Sequence, residues 1–174
     1  MKTRSGEYLE WTEDLDAAQE PIEYIKKYIF DKSRIISIEK SNNETLIWLD
    51  KYSGIDWFCK NDNNQVIAVA ARIQWDCDYG TFTIRFKRKT GTKTEFEKRT
   101  EAIRKGYMYP QLTMQAYFIR NPLKMLSACI IKTKDLYDFI EYHPDMVYDN
   151  KSDNDFKYVF WKDLERYGIK IWKY

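Results

Sequence analysis

Three side chains in one stretch, GIDWFCKNDNNQVIAVAARIQW (Gly54 to Trp75), have the types and spacing for phosphate chemistry. Asp56 follows Gly54 and Ile55 at the head of a short apolar segment. Asn61-Asp62-Asn63-Asn64 makes a polar turn, and a second apolar segment ends in Arg72 and Gln74, two residues apart. A carboxylate supplies the hard oxygen that Mg²⁺ takes. A guanidinium or amide supplies donors that hold a phosphate and stabilise charge on it. The same residues admit a plain structural reading: an ion pair between Asp56 and Arg72 across two strands, with Gln74 as a neighbour.

The elements around them decide whether these groups meet. Side chains alternate faces along a strand. If Val66 to Trp75 is a strand, Ile67, Val69, Ala71 and Ile73 share a packing face, and Ala68, Ala70, Arg72 and Gln74 share the other. Ile55 to Lys60 reads as the preceding strand, paired as a hairpin across the Asn-rich turn, which brings Asp56 near Arg72 and Gln74. Before the hairpin, Pro21 to Phe30 predicts a helix with Pro in its first turn and Ile22, Ile25 and Ile29 on one face. Arg34 to Glu39 predicts a short strand, and Asn43 to Tyr52 a second helix stopped at Ser53-Gly54. After it, Thr81 to Lys87 predicts a strand whose polar face carries Thr83, Arg85 and Lys87. Thr94 to Lys105 predicts a helix opened by a Thr94/Glu97 capping box and ended by Gly106. Leu112 to Ile119 and Met125 to Lys132 predict strands. Thr133 to Tyr142 predicts a helix capped by Thr133 and closed by Pro144, with Leu136, Phe139 and Ile140 inward. A polar loop follows over Asp145 to Asp155, then a strand at Tyr158 to Phe160, a helical turn at Lys162 to Tyr167 and an edge strand at Ile169 to Trp172. This order predicts an α/β (α+β) fold in a single domain, residues 1–174, with a single central mixed sheet flanked by helices. No glycine-rich phosphate loop is present, which disfavours dinucleotide-binding and P-loop chemistry.

The densest cationic stretch is TFTIRFKRKTGTKTEFEKRTEAIRKG. Arg85, Lys87 and Arg88 come together, and Lys98 and Arg99 follow on the helix, partly offset by Glu95, Glu97 and Glu101. One reading is a solvated charged face. The other is a ridge that tracks a phosphate backbone. Tyr107 and Tyr109 offer stacking to exposed bases, while Tyr117 suits the core.

The hairpin resembles the PD-(D/E)XK, or restriction-endonuclease-like, nucleases. The shared pattern is a Gly-Ile-Asp opening a strand, a hairpin, and a strand ending in two spaced polar groups, with a helix before, a helix after and further strands. The resemblance spans about Pro21 to Lys132. It implies a restriction-endonuclease-like sheet and a metal-dependent nuclease, or nuclease-fold protein, acting on DNA rather than RNA. Mg²⁺ would be its cofactor and Asp56 the metal ligand, with Arg72 and Gln74 at the scissile phosphate. Arg85, Lys87, Arg88, Lys98 and Arg99 would hold the backbone. The second half departs from the family, which expects a carboxylate, one residue, then lysine. If Gln74 takes the lysine place, Arg72 replaces the acid; if Arg72 takes it, Ala70 does. Asp76, Asp78, Glu95 and Glu97 are candidates to restore the acid. Glu20 or Glu23 matches the glutamate that the leading helix of this family often offers. The lost acid equally suits a catalytically silent relative that binds nucleic acid or a protein partner through the same corner. A third reading is an inhibitor or adaptor whose aromatic surface is its interface.

Composition bounds these readings. With 174 residues, 44% hydrophobic and 17% aromatic, the chain is long and apolar enough to bury a core. A net charge of +2 is too small to imply a polyanion partner by itself, so local clustering has to carry that argument. No stretch is apolar enough to span a membrane, and MKTRSGEYLEW lacks the apolar core of a secretory signal. The cysteines, Cys59, Cys77 and Cys129, are scattered and odd in number, which predicts reduced thiols in a cytoplasmic protein. With His143 the lone histidine, neither a structural zinc site nor a serine or cysteine triad is indicated.

Overall fold

The computed structural model describes residues 11–31, 34–37, 53–88, 91–151, 153 and 155–174. The helix expected over Asn43 to Tyr52 lies outside these residues. The elements are α1 (Trp11–Tyr28), β1 (Ile35–Ser37), β2 (Trp57–Lys60), β3 (Val66–Trp75), β4 (Thr81–Arg85), α2 (Glu95–Lys105), β5 (Leu112–Ile119), β6 (Lys124–Lys132), α3 (Thr133–Tyr142), β7 (Tyr148–Asp149), β8 (Phe156–Phe160), α4 (Trp161–Arg166) and β9 (Ile171–Lys173).

A mixed six-stranded sheet runs in the order β1-β2-β3-β5-β6-β9. β2 and β3 form the expected antiparallel hairpin, with Trp57 opposite Val69 and Lys60 opposite Val66. β3 then pairs in parallel with β5, from Val69 opposite Leu112 to Trp75 opposite Phe118. A parallel neighbour needs a long crossover. β4 and α2 supply it.

Alternation sorts the core into two layers. Val69, Met114, Ala116, Phe118, Ala128 and Ile130 point to the side covered by α1, where Ile25 is fully buried and Ile22 and Ile29 pack beside it. Tyr117, Cys129 and Ile131 point to the opposite side, against Leu136, Phe139 and Ile140 of α3. α2 starts and stops where its sequence directs. Thr94 and Glu97 form the reciprocal capping box, and Gly106 closes the helix at φ 68°.

Several expectations are corrected. A single central sheet is one of them: β4, β8 and β7 form a second, three-stranded sheet in the order β4-β8-β7. β4 leaves the meander because Asp76 (φ 60°) and Gly80 (φ 57°) turn the chain away from β3. Thr81, Phe82, Thr83 and Ile84 are all buried, so the polar face of β4 is covered rather than solvated, and Lys87 lies beyond the strand. Pro21 sits inside α1, which extends further toward the N-terminus than the first-turn preference of proline suggested. Thr133 makes no cap. It is buried, and its hydroxyl bonds that of Thr113 on the neighbouring strand at 2.8 Å. The loop after Pro144 holds a short 3₁₀ turn (Pro144–Met146) and the strand β7. Cys59 and Cys129 are buried thiols and Cys77 is half-buried. Among the described residues no helix is long and apolar enough to cross a membrane.

Candidate functional site

The polar face of β3 looks away from α1, toward the second sheet and α2. Ala68 and Ala70 are buried on this face, and Arg72 and Gln74 follow on the same side. The geometry shows it directly. Arg72 donates from Nη1 to the Thr83 carbonyl at 2.9 Å, and the Gln74 amide reaches the Thr83 hydroxyl at 3.4 Å.

Asp56 lies one residue before β2. Its backbone N–H donates to the Val69 carbonyl at 2.9 Å, which extends the hairpin pairing to this position. Its carboxylate Oδ2 accepts the Ala71 backbone N–H at 2.6 Å. Gly54, two residues earlier, adopts φ 64°, and a Cβ there would come within 3.3 Å of Arg99 Nη2. Glycine is needed at this turn for both reasons.

The carboxylate that answers Arg72 is Glu95, the first residue of α2. Glu95 Oε2 accepts from Arg72 Nη2 at 2.7 Å, and Oε1 pairs with Arg99 Nη1 at 2.9 Å. Glu95 is only 17% exposed. Burial pushes its carboxyl up, but the Arg72 and Arg99 charges outweigh it and hold the group at about 2. Arg99, expected on a surface ridge, is 8% exposed. It reaches the Gly54 carbonyl at 3.4 Å and lies over the Tyr137 ring. Burial works against its charge, while Tyr137, Glu95 and Asp56 stabilise it, so its pKa is raised.

These groups enclose an open cleft of about 240 Å³. Its charged lining is Asp56 and Glu95 against Arg72, Arg85, Arg88, Lys98 and Arg99. Five cations thus face two carboxylates, and one of the two is committed to a pair of guanidiniums. Arg85 reports the imbalance. Its pKa is lowered, first by burial and then by repulsion from Arg72 and Arg88. Its Nε is buried and has no hydrogen-bond partner among the described residues. Arg72 and Arg85 both lie over the ring of Phe156, at 4.8 and 4.7 Å from its centroid. The ring attracts both cations and helps to fix them in place.

The structure therefore gathers Asp56, Arg72, Arg85, Arg88, Lys98 and Arg99 around one cleft. Gln74 lines adjacent cavities instead. Lys87 is exposed, with its backbone N–H on the Asp155 carbonyl at 3.1 Å. Of the acids considered as replacements, Glu95 alone lines the cleft; Glu97 is spent on the Thr94 cap. Glu23 pairs with Lys26 on α1, away from it. Tyr117 is core, and Tyr107 is 59% exposed. Phe156 and Tyr137 escaped the sequence reading. Phe156 stood at the edge of a polar loop, and Tyr137 occupied a helical position that reads as packing.

The carboxylates of the cleft that could hold Mg²⁺ are Asp56 and Glu95, and Glu95 is already paired with Arg72 and Arg99. Among the described residues no three histidine, cysteine, aspartate or glutamate side chains cluster. A divalent cation would also meet the excess of positive side chains described above. Compared with known proteins, the chain matches no family model, no curated protein and no solved structure.

Proposed function

We propose that this protein binds nucleic acid by seating a backbone phosphate in the cleft between Arg72, Arg85 and Arg88, and that it is a divergent, nuclease-like relative of the PD-(D/E)XK group. One observation carries the reading: five cations crowd an open cleft in which one of the two carboxylates, Glu95, is already paired with two guanidiniums. Half-buried like charges repel one another, and an anion relieves that repulsion while supplying acceptors to the remaining N–H groups. Guanidiniums fixed by Glu95, Thr83 and Phe156 are preorganised for a phosphate, because little side-chain freedom is left to lose. The order of a helix, the hairpin with Asp56 at its head, a helix and a further strand supports the family reading. Glu95 and Arg99 act as positioning residues, and Arg72, Arg85, Arg88 and Lys98 as phosphate contacts. DNA is the preferred polymer, as the resemblance implies.

A second reading, hydrolysis of the phosphodiester, is favoured by one feature: Asp56 and Glu95, far apart in sequence, line the same cleft. The two readings separate in one experiment. Labelled DNA is titrated with wild-type protein and with Arg85→Ala/Arg88→Ala, with and without Mg²⁺, and the products are resolved on a gel. Binding that weakens in the double variant, with DNA left intact at all Mg²⁺ concentrations, supports a binding protein. Mg²⁺-dependent cleavage establishes the enzyme. Binding unaffected by the double variant removes the cleft from the function.

A further inference from the structure

The phosphate cleft does not end at Arg72. A neighbouring cavity shares Arg72 and Arg85 with it and continues past Gln74, Thr83 and Asn150. Those last three residues also line a larger cavity of about 380 Å³, walled by Tyr79, Tyr158 and Phe160. The three spaces form one groove.

Pairing in the second sheet explains the groove. Thr81 lies opposite Phe160, Thr83 opposite Tyr158 and Arg85 opposite Phe156. Directly opposed residues share a face. This face carries Arg85 with Phe156 at one end, and Tyr158 and Phe160 at the other. The polar face of β3 lines the same groove, with Arg72 toward the cationic end and Gln74 toward the aromatic end. The other face of the small sheet, with Phe82, Ile84 and Val159, is committed to the core.

We propose that the aromatic cavity is a nucleobase subsite that takes one unpaired base of the strand whose phosphate sits between Arg72 and Arg85. The proposal rests on the phosphate reading and extends it to single-stranded nucleic acid. Three observations converge. The spacing is right: two residues along a strand span roughly 7 Å, close to the separation of phosphate and base within one nucleotide. The walls are aromatic: Tyr158 and Phe160 meet edge to face with centroids 5.3 Å apart, Tyr158 is stacked on Tyr148 on one side, and Tyr79 is 64% exposed at the rim and open to a stacking partner. The polar group is right: among the described residues Gln74 Oε1 is buried with no hydrogen-bond partner, and its amide nitrogen makes a long contact to the Thr83 hydroxyl at 3.4 Å. A carboxamide offers a donor and an acceptor side by side, the pattern that a base edge matches. A base still stacked in a duplex cannot enter a concave chamber of this kind.

The test measures fluorescence anisotropy with three labelled probes of about twelve nucleotides: oligothymidylate, an abasic strand with the same number of phosphates, and a duplex. The wild type is expected to bind oligothymidylate about tenfold more tightly than either other probe, the scale of one base stacked on an aromatic group. In Gln74→Ala and in Tyr158→Leu that preference should fall to within about threefold while affinity for the abasic strand stays unchanged. Thermal melting checks each variant, and Gln74→Ala decides the matter if Tyr158→Leu is unfolded. Equal wild-type binding of intact and abasic strands, or tighter binding of duplex, overturns the base subsite and leaves the phosphate reading standing. A wild type that binds none of the three overturns both.

Discussion

Glu95 shows how one side chain can hold a site together while contributing little to its net charge. Its folded pKa is depressed to about 2 from an ordinary 4.5. The stability it contributes is therefore fully present above the ordinary value and lost as the pH falls toward 2. Glu95→Gln leaves Arg72 and Arg99 without their carboxylate and should cost about 3 kcal/mol at neutral pH. Urea denaturation across pH checks both parts: the variant starts lower and declines less than wild type on acidification. Asp56 makes the opposite case. Asp56→Asn keeps an oxygen to accept the Ala71 N–H, so folding stability should change by about 1 kcal/mol or less. Removing a negative charge from a cationic cleft should tighten DNA binding in an anisotropy titration. If the protein is an enzyme, the same variant should instead lose Mg²⁺-dependent cleavage.

At the level of elements, the turn before β2 and the start of α2 set the site's geometry. Gly54 combines φ 64° with a close approach to Arg99, so Gly54→Ala meets both backbone strain and a displaced guanidinium. A melting curve should show a loss of about 1–2 kcal/mol, the cost of a left-handed conformation for an L-residue. DNA affinity should fall with it, because Arg99 and Glu95 position Arg72. The cap of α2 is the comparison. Thr94→Ala removes the hydroxyl that accepts the Glu97 N–H at 3.2 Å and should cost about 1 kcal/mol of stability. Local order at Glu95 then decides whether binding follows.

At the scale of the whole molecule, a net charge of +2 sits beside a local excess of cations in the cleft, five against two carboxylates. That excess sits where the polar face of β3, the end of β4 and the first turns of α2 converge. Association with DNA should therefore depend steeply on salt despite the small net charge. On a plot of log affinity against log salt, Arg85→Ala/Arg88→Ala should flatten the slope by roughly one to two units. A slope that is flat in the wild type would point to a protein partner instead.

The hairpin, its alternating faces, the capping box of α2 and most strand positions were legible in the sequence. Each of these is written by neighbours a few residues apart: a period of two in Val66 to Trp75, or a threonine three residues before a glutamate. What the sequence left open are the contacts that close over long separations. β3 could have paired with β4 next to it in the chain; it pairs with β5, and β4 joins β8 in a separate sheet. Arg72 had an obvious acid in Asp56 across the hairpin, yet its ion pair is with Glu95, 23 residues on, because α2 lowers its first turn onto the polar face of β3. Arg99 read as an exposed cation and is buried. Spacing states which face a side chain occupies, but only the packing of distant elements against that face decides which partner it meets and whether water reaches it.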